Sequence, residues 1–229
     1  MRPDPWSTPT SYETTASTEA AFVAKVYRWM AAGLALTGFF AYAVVTSPTL
    51  LRVIVGNPIV FFGLLIGELV MVVAFTRVVQ RATFGTAAAM FLAYCALSGL
   101  TFSVIFLAYT RESIASTFFI TGGTFAAMSA YGTLTKKDLS GWGQFLMMGL
   151  IGTLIAIVVN IFLRSDALGF VVSCMGVVVF TGLTAYDAQK IRQWAREGDE
   201  RLALHGALAL YLDFVNLFLM LLRLFGRRR

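Results

Sequence analysis

A chain of 229 residues that is 58% hydrophobic and only 13% charged, with a mean hydropathy of +0.77, lies far from the roughly 25% charged residues of a soluble domain. The formal charge of +6 collects at the ends of apolar runs, with no basic stripe interleaved with aromatics, so nucleic acid is excluded as a partner and the lipid bilayer is the expected surrounding. Cys95 and Cys174 stand inside apolar runs without CxxC spacing, and the single histidine gives them almost no companion ligands, which leaves them as buried small residues.

The chain opens on Pro3, Pro5 and Pro9 among Ser, Thr, Asp4, Glu13 and Glu19. A secretory leader needs an apolar run behind a basic start, so residues 1–20 are expected to be a short disordered cytoplasmic tail and residues 21–229 a single transmembrane domain. Hydrophobic stretches of about 20 residues cross a hydrocarbon core of roughly 30 Å. They recur at 26–46, 59–79, 84–108, 113–134, 143–163, 167–188 and 203–225, separated by Pro, Gly and charged breaks. The prediction is an all-α polytopic membrane protein, a seven-transmembrane-helix bundle. Lys and Arg number ten on the N-terminal side and six on the other, which places the N-terminus in the cytoplasm. A weak echo, Gly99-Leu100-Thr101 against Gly182-Leu183-Thr184 and Ala41-Tyr42 against Ala130-Tyr131, suggests a three plus three plus one plan.

An ionisable group inside a spanning helix costs roughly 2.5 to 3.5 kcal/mol on insertion scales, so it faces a partner or a wet cavity. Five residues qualify: Glu68, Arg77, Asp187, Asp213 and Arg223. Counting depth at about 1.5 Å per residue pairs Glu68 with Arg223 in an outer layer, a structural ion pair, and groups Arg77, Asp187 and Asp213 in an inner one. Glu68 and Arg77 point to opposite faces of an ideal helix, so Arg77 is expected to reach towards the sixth helix as much as the seventh. On the seventh helix His205, Asp213, Asn216, Met220 and Arg223 fall within about an 80° sector. On the sixth, Ser173, Gly176, Phe180, Thr184 and Asp187 share a face whose small residues permit close approach. These faces predict that the C-terminal helix is central and that Asp187 meets Asp213.

Two carboxylates within hydrogen-bonding reach in low dielectric cannot easily both ionise. Sharing one proton makes them a pH-responsive latch, with Arg77 as a swinging counter-ion and a conduction path along Asp213 and Asn216. Carboxylate and amide oxygens suit Ca²⁺, which takes six to eight of them. Asp187, Asp213 and Asn216 offer too few for storage, and weak, transient coordination suits a permeant ion.

The segments Thr184-Ala185-Tyr186-Asp187-Ala188-Gln189-Lys190, Tyr211-Leu212-Asp213-Phe214-Val215-Asn216-Leu217-Phe218, Tyr131 to Ser140 and Val26-Tyr27 resemble the transmembrane Bax inhibitor motif (Bax inhibitor-1-like) family, over residues 20–227. The tail and the compact loops look like its bacterial branch. The resemblance implies a seven-helix fold around the last helix and a pH-sensitive calcium leak in a bacterial inner membrane. It also implies a pH-sensing aspartate pair matching Asp187 and Asp213, an outer ion pair matching Glu68 and Arg223, and a latch arginine matching Arg77, although the Glu68 to Arg77 spacing is shorter than the family's. No enzymatic activity and no bound cofactor are expected, Ca²⁺ being the permeant ion. A second reading is a non-conducting stress-response protein that modulates a membrane-protein partner such as a protease. An intramembrane aspartyl protease is remote, because Tyr211-Leu212-Asp213 stands where that chemistry uses Gly-x-Gly-Asp.

Overall fold

A backbone that crosses hydrocarbon must satisfy its own hydrogen bonds, and each apolar run does so as a helix. The computed structural model describes residues 11–79, 81–197 and 199–229, with side chains from residue 17 onward. The elements are α1 (Ser11–Thr46), α2 (Pro48–Ile54), α3 (Pro58–Val78), α4 (Phe84–Ala108), α5 (Arg111–Leu134), α6 (Ser140–Leu163), α7 (Asp166–Trp194) and α8 (Glu200–Phe225). Most starts are written in the sequence. Thr83, Thr110 and Ser165 accept a backbone N–H from the first turns of α4, α5 and α7, and Ser47 and Asn57 cap α2 and α3 ahead of a proline at the first helical position, where its missing N–H has no cost.

Six helices, α1 from Ser17 together with α3, α4, α6, α7 and α8, are long and apolar enough to cross a membrane. The seventh long helix, α5, has 24 residues but is diluted by Arg111, Glu112 and a row of hydroxyls. Ser113, Thr117, Thr121 and Ser129 of that row are buried, so its polar face is turned inward and its lipid face shows Phe119, Ile120 and Leu134.

The packing repeats. Both α1 and α3 lie on α4, both α5 and α6 lie on α7, and α8 packs against α1, α4, α5 and α7 at the middle. The closest approaches fall at glycine in each half. A Cβ on Gly99 of α4 would meet the Thr37 carbonyl oxygen of α1 at 2.6 Å, and one on Gly132 of α5 would run into the Ala185 backbone of α7. Around α8 the core is aromatic: Tyr211 is fully buried, with Phe91 and Tyr94 edge-on at 6.2 and 5.8 Å. The outermost helices, α3 and α6, leave Ile59, Phe62, Ile66, Phe145, Ile155 and Phe162 exposed, the apolar surface a lipid-facing helix presents.

Three boundaries depart from the sequence expectation. Helix α1 begins at Ser11, so 11–20, expected as tail, are helical, while 1–10 lie outside the described residues. Glu19 ties this part of α1 to the end of α7, as an ion-pair partner of Arg196 at 2.9 Å and of Arg192 at 3.6 Å. The Pro48 to Pro58 break contains the short helix α2. The loop expected from Gln189 to Leu202 shrinks, since α7 continues to Trp194 and α8 starts at Glu200.

Candidate functional site

A cavity of about 510 Å³ lies between α3, α4, α6, α7 and α8, and its wall carries Glu68, Tyr94, Asp187, Lys190, Asp213 and Asn216. Helices α7 and α8 bring the aspartates together. Ser173, Phe180 and Thr184 on α7 are buried on the face that meets α8, and a Cβ on Gly176 would meet the Met220 side chain at 2.7 Å. The two stripes read from the sequence are thus the faces in contact. The carboxyl groups of Asp187 and Asp213 lie within hydrogen-bonding reach of each other. Asp213 is 5% exposed, and its Oδ2 is buried with no hydrogen-bond partner. An unsatisfied buried acceptor costs about 1 to 3 kcal/mol, so Oδ2 lies where a donor or a cation would relieve that cost.

Asn216 commits its amide nitrogen to the Leu212 carbonyl at 2.8 Å, so what it can offer the cavity is its carbonyl oxygen. Glu68 accepts a hydrogen bond from Thr101 of α4 at 2.6 Å. The Ser98 hydroxyl is buried between Glu68, Tyr94 and Tyr211 without a tight partner of its own. Beyond it the Tyr211 and Thr37 hydroxyls meet at 2.7 Å, and Thr37 donates to the Cys95 carbonyl at 2.9 Å. Hydroxyls therefore continue from the cavity wall to α1.

Two expected contacts are absent. The Glu68–Arg223 ion pair is not formed among the described residues. Arg223 lies against Gly169 of α7, beside the Asn160 amide of α6. The cause is depth: it is Asn216, seven residues or about 10 Å before Arg223 along α8, that shares the cavity with Glu68. Arg77 is exposed in the last turn of α3 and reaches neither aspartate. The nine residues from Glu68 to Arg77 turn an ideal helix by about 180°, so if Glu68 faces the cavity Arg77 faces away.

The cation beside the pair is Lys190, one turn from Asp187 on α7, a neighbour that i,i+3 spacing could have revealed. Its Nζ stands 5.1 Å from the centre of the Trp194 ring and 5.8 Å from that of Tyr186. On the Trp194 ring His205 packs edge-on at 5.2 Å, with its Nδ1 buried and unpartnered. Thr101 and Tyr94 were also missed as site residues, because uncharged hydroxyls in an apolar run give no signal of their own. Among the described residues no three His, Cys, Asp or Glu side chains converge as a metal site. A cation in the cavity would meet dispersed oxygens from Asp187, Asp213, Glu68 and Asn216.

The sequence model of the family described as "Inhibitor of apoptosis-promoting Bax1" matches residues 19–229. The chain is 46% identical over 215 residues to the inner membrane protein YbhL of Escherichia coli strain K12, covering 91% of this chain and 92% of that protein. It is 45% identical over 214 residues to an uncharacterized protein of Borreliella burgdorferi, with 91% and 92% covered. An uncharacterized membrane protein of Streptococcus pyogenes serotype M3 is 35% identical over 212 residues, with 90% and 92% covered.

Proposed function

The chain belongs to the Bax inhibitor-1-like family, and from that premise we propose that it is a pH-sensitive calcium leak channel gated by the intramembrane pair Asp187 and Asp213. One observation carries the reading: two carboxyls in mutual reach, one of them 5% exposed with an unpartnered oxygen, open onto a cavity inside a membrane protein. A buried like-charge pair is a poor staple between helices, whereas one that exchanges a proton changes the force between α7 and α8. With a proton shared, α7 and α8 are clamped. With it lost, the carboxylates repel and offer oxygens to a cation.

Glu68 and the Asn216 carbonyl supply the next oxygens along the same wall, enough for weak coordination and too few for storage. Lys190 takes the place first assigned to Arg77, a cation able to stand in for Ca²⁺ beside Asp187. The protein is multi-pass, resides in an inner membrane as the E. coli relative's name says of that protein, and has seven spans with the N-terminus cytoplasmic. It works as a channel without enzymatic chemistry.

The test is calcium entry into dye-loaded liposomes containing the purified protein. The wild type should leak with a rate that depends on pH, and Asp213→Asn and Asp187→Asn should each flatten that dependence, because no coupled pair remains to titrate. A wild-type pH profile in both variants would make the pair structural. Protein that folds but passes no calcium at any pH would leave the non-conducting modulator as the function.

A further inference from the structure

On the side of the molecule that carries Glu19, the α5–α6 connection and the end of α7 border a second, open cavity of about 280 Å³. Lys136, Lys137, Arg192 and Arg196 line it, against the single carboxylate of Asp138. Its frame is held by side chains. Gln189 donates to the Lys137 carbonyl at 2.8 Å and accepts from the Leu139 N–H at 2.8 Å, while Arg192 Nη1 donates to the Thr133 carbonyl at 2.7 Å.

The two carboxylates nearby, Asp138 and Glu19, offset only part of the charge of the four cations. Asp138 accepts the Ser140 backbone N–H at 2.9 Å, and the Ser140 hydrogen bonds hold its carboxyl below the usual range, so it stays charged and offsets one cation. Glu19 engages Arg196 and Arg192 from α1. Lys136 and Lys137 are exposed and make no ion pair among the described residues.

Lys137 and Asp138 also stand at the mouth of an apolar groove of about 410 Å³ between α5, α6 and α7. Met128, Tyr131, Trp142, Phe145, Val178 and Gly182 are among its walls. From Tyr186 to Val178 it follows α7 for roughly 12 Å. Trp142 and Phe145 are 60% and 67% exposed on its outer side, as a tryptophan at the level of the headgroups would be. A basic chamber and an apolar trench that share Lys137 and Asp138 in their walls, on a membrane protein, suit a molecule with an anionic head and an apolar chain.

We propose that this is a binding site for an anionic phospholipid, its phosphate between Lys136, Lys137, Arg192 and Arg196 and one acyl chain in the groove between α5, α6 and α7. Both lysines and both arginines lie among the ten basic residues of the N-terminal side, where anionic headgroups and basic side chains attract each other by about 1 kcal/mol per charge. The bound lipid would join the α5–α6 connection to the end of α7, the helix that carries Asp187. The site does not depend on calcium conduction.

The experiment uses the full chain, delipidated in detergent, with lipid retention read by native mass spectrometry and stability by thermal shift. Dioleoyl phosphatidylglycerol should be retained and should raise Tm. Dioleoyl phosphatidylcholine, glycerol phosphate and inorganic phosphate at equal concentration should not. The double variant Lys136→Gln, Lys137→Gln, on exposed side chains, should weaken phosphatidylglycerol binding about thirtyfold. Arg111→Gln, a charge removed at the other end of α5, should leave it unchanged. Equal stabilisation by phosphatidylcholine would reduce the site to ordinary lipid solvation, and equal stabilisation by inorganic phosphate would make it a site for a free anion; either overturns the proposal. An equal loss in Arg111→Gln would do the same, by showing that net charge alone is read.

Discussion

The Asp213 carboxyl is buried with one oxygen unpartnered, and Lys190 stands nearby against the Trp194 ring. If the cation that answers the aspartates is Lys190, then Lys190→Gln should shift the pH profile of calcium flux, while Arg77→Gln should leave it as in the wild type. The reverse result would return the latch to Arg77 and require α3 to rotate. A second residue-scale prediction concerns Glu68, whose short bond to Thr101 does the work first assigned to Arg223. Removing a hydrogen bond to a charged group costs about 1.5 to 3 kcal/mol, so Thr101→Val should lower Tm in detergent clearly, and Arg223→Leu much less. In a double-mutant cycle Glu68→Gln and Arg223→Leu should be additive, and Glu68→Gln with Thr101→Val should not. The aspartates were legible in the sequence because a charge in an apolar run stands out. Their neighbours were not, because counting residues fixes depth only within one helix and a hydroxyl is silent.

At the scale of elements, the interiors of the helices were legible and their ends only in part. Capping residues such as Thr83, Thr110 and Ser165 mark starts through local chemistry. The end of α7 and the Glu19 turn of α1 meet distant partners, Glu19 with Arg192 and Arg196, and Gln189 with the backbone at Lys137 and Leu139, which no window along the chain contains. Close approach is likewise a property of pairs. Gly132 of α5 abuts the Ala185 backbone of α7, and a backbone cannot swing aside as a side chain does. Gly132→Ala should therefore push α5 off α7 and destabilise by about 1 to 3 kcal/mol. Gly122→Ala, with nothing within 4 Å of its added carbon, should be neutral or slightly stabilising. Equal Tm values for the two would mean that α5 and α7 do not meet at Gly132 in the membrane.

At the scale of the whole molecule the seventh span rests on α5, the one long helix among the described residues that is not by itself apolar enough to cross a bilayer. Its two ends are tied to opposite ends of helices that are apolar enough to do so. Near Arg111, the Thr110 N–H donates to the Arg227 carbonyl at 3.1 Å, and Tyr109 pairs with Arg228 beyond the end of α8. Near Leu134, the Thr133 carbonyl accepts from Arg192 at the end of α7. Since α8 ends where α5 begins and α7 ends where α5 ends, a spanning α7 and α8 require α5 to span with them. Its Ser and Thr face is turned into the bundle, so the lipid sees the apolar remainder. The expectation follows directly: a reporter fused after Arg229 and a single cysteine at Thr110 should both be extracytoplasmic, while cysteines at Lys136 and at Glu197 should both be labelled from the cytoplasm. Labelling of Lys136 from the same side as Thr110 would make α5 a re-entrant or surface helix and would overturn the seven-span arrangement.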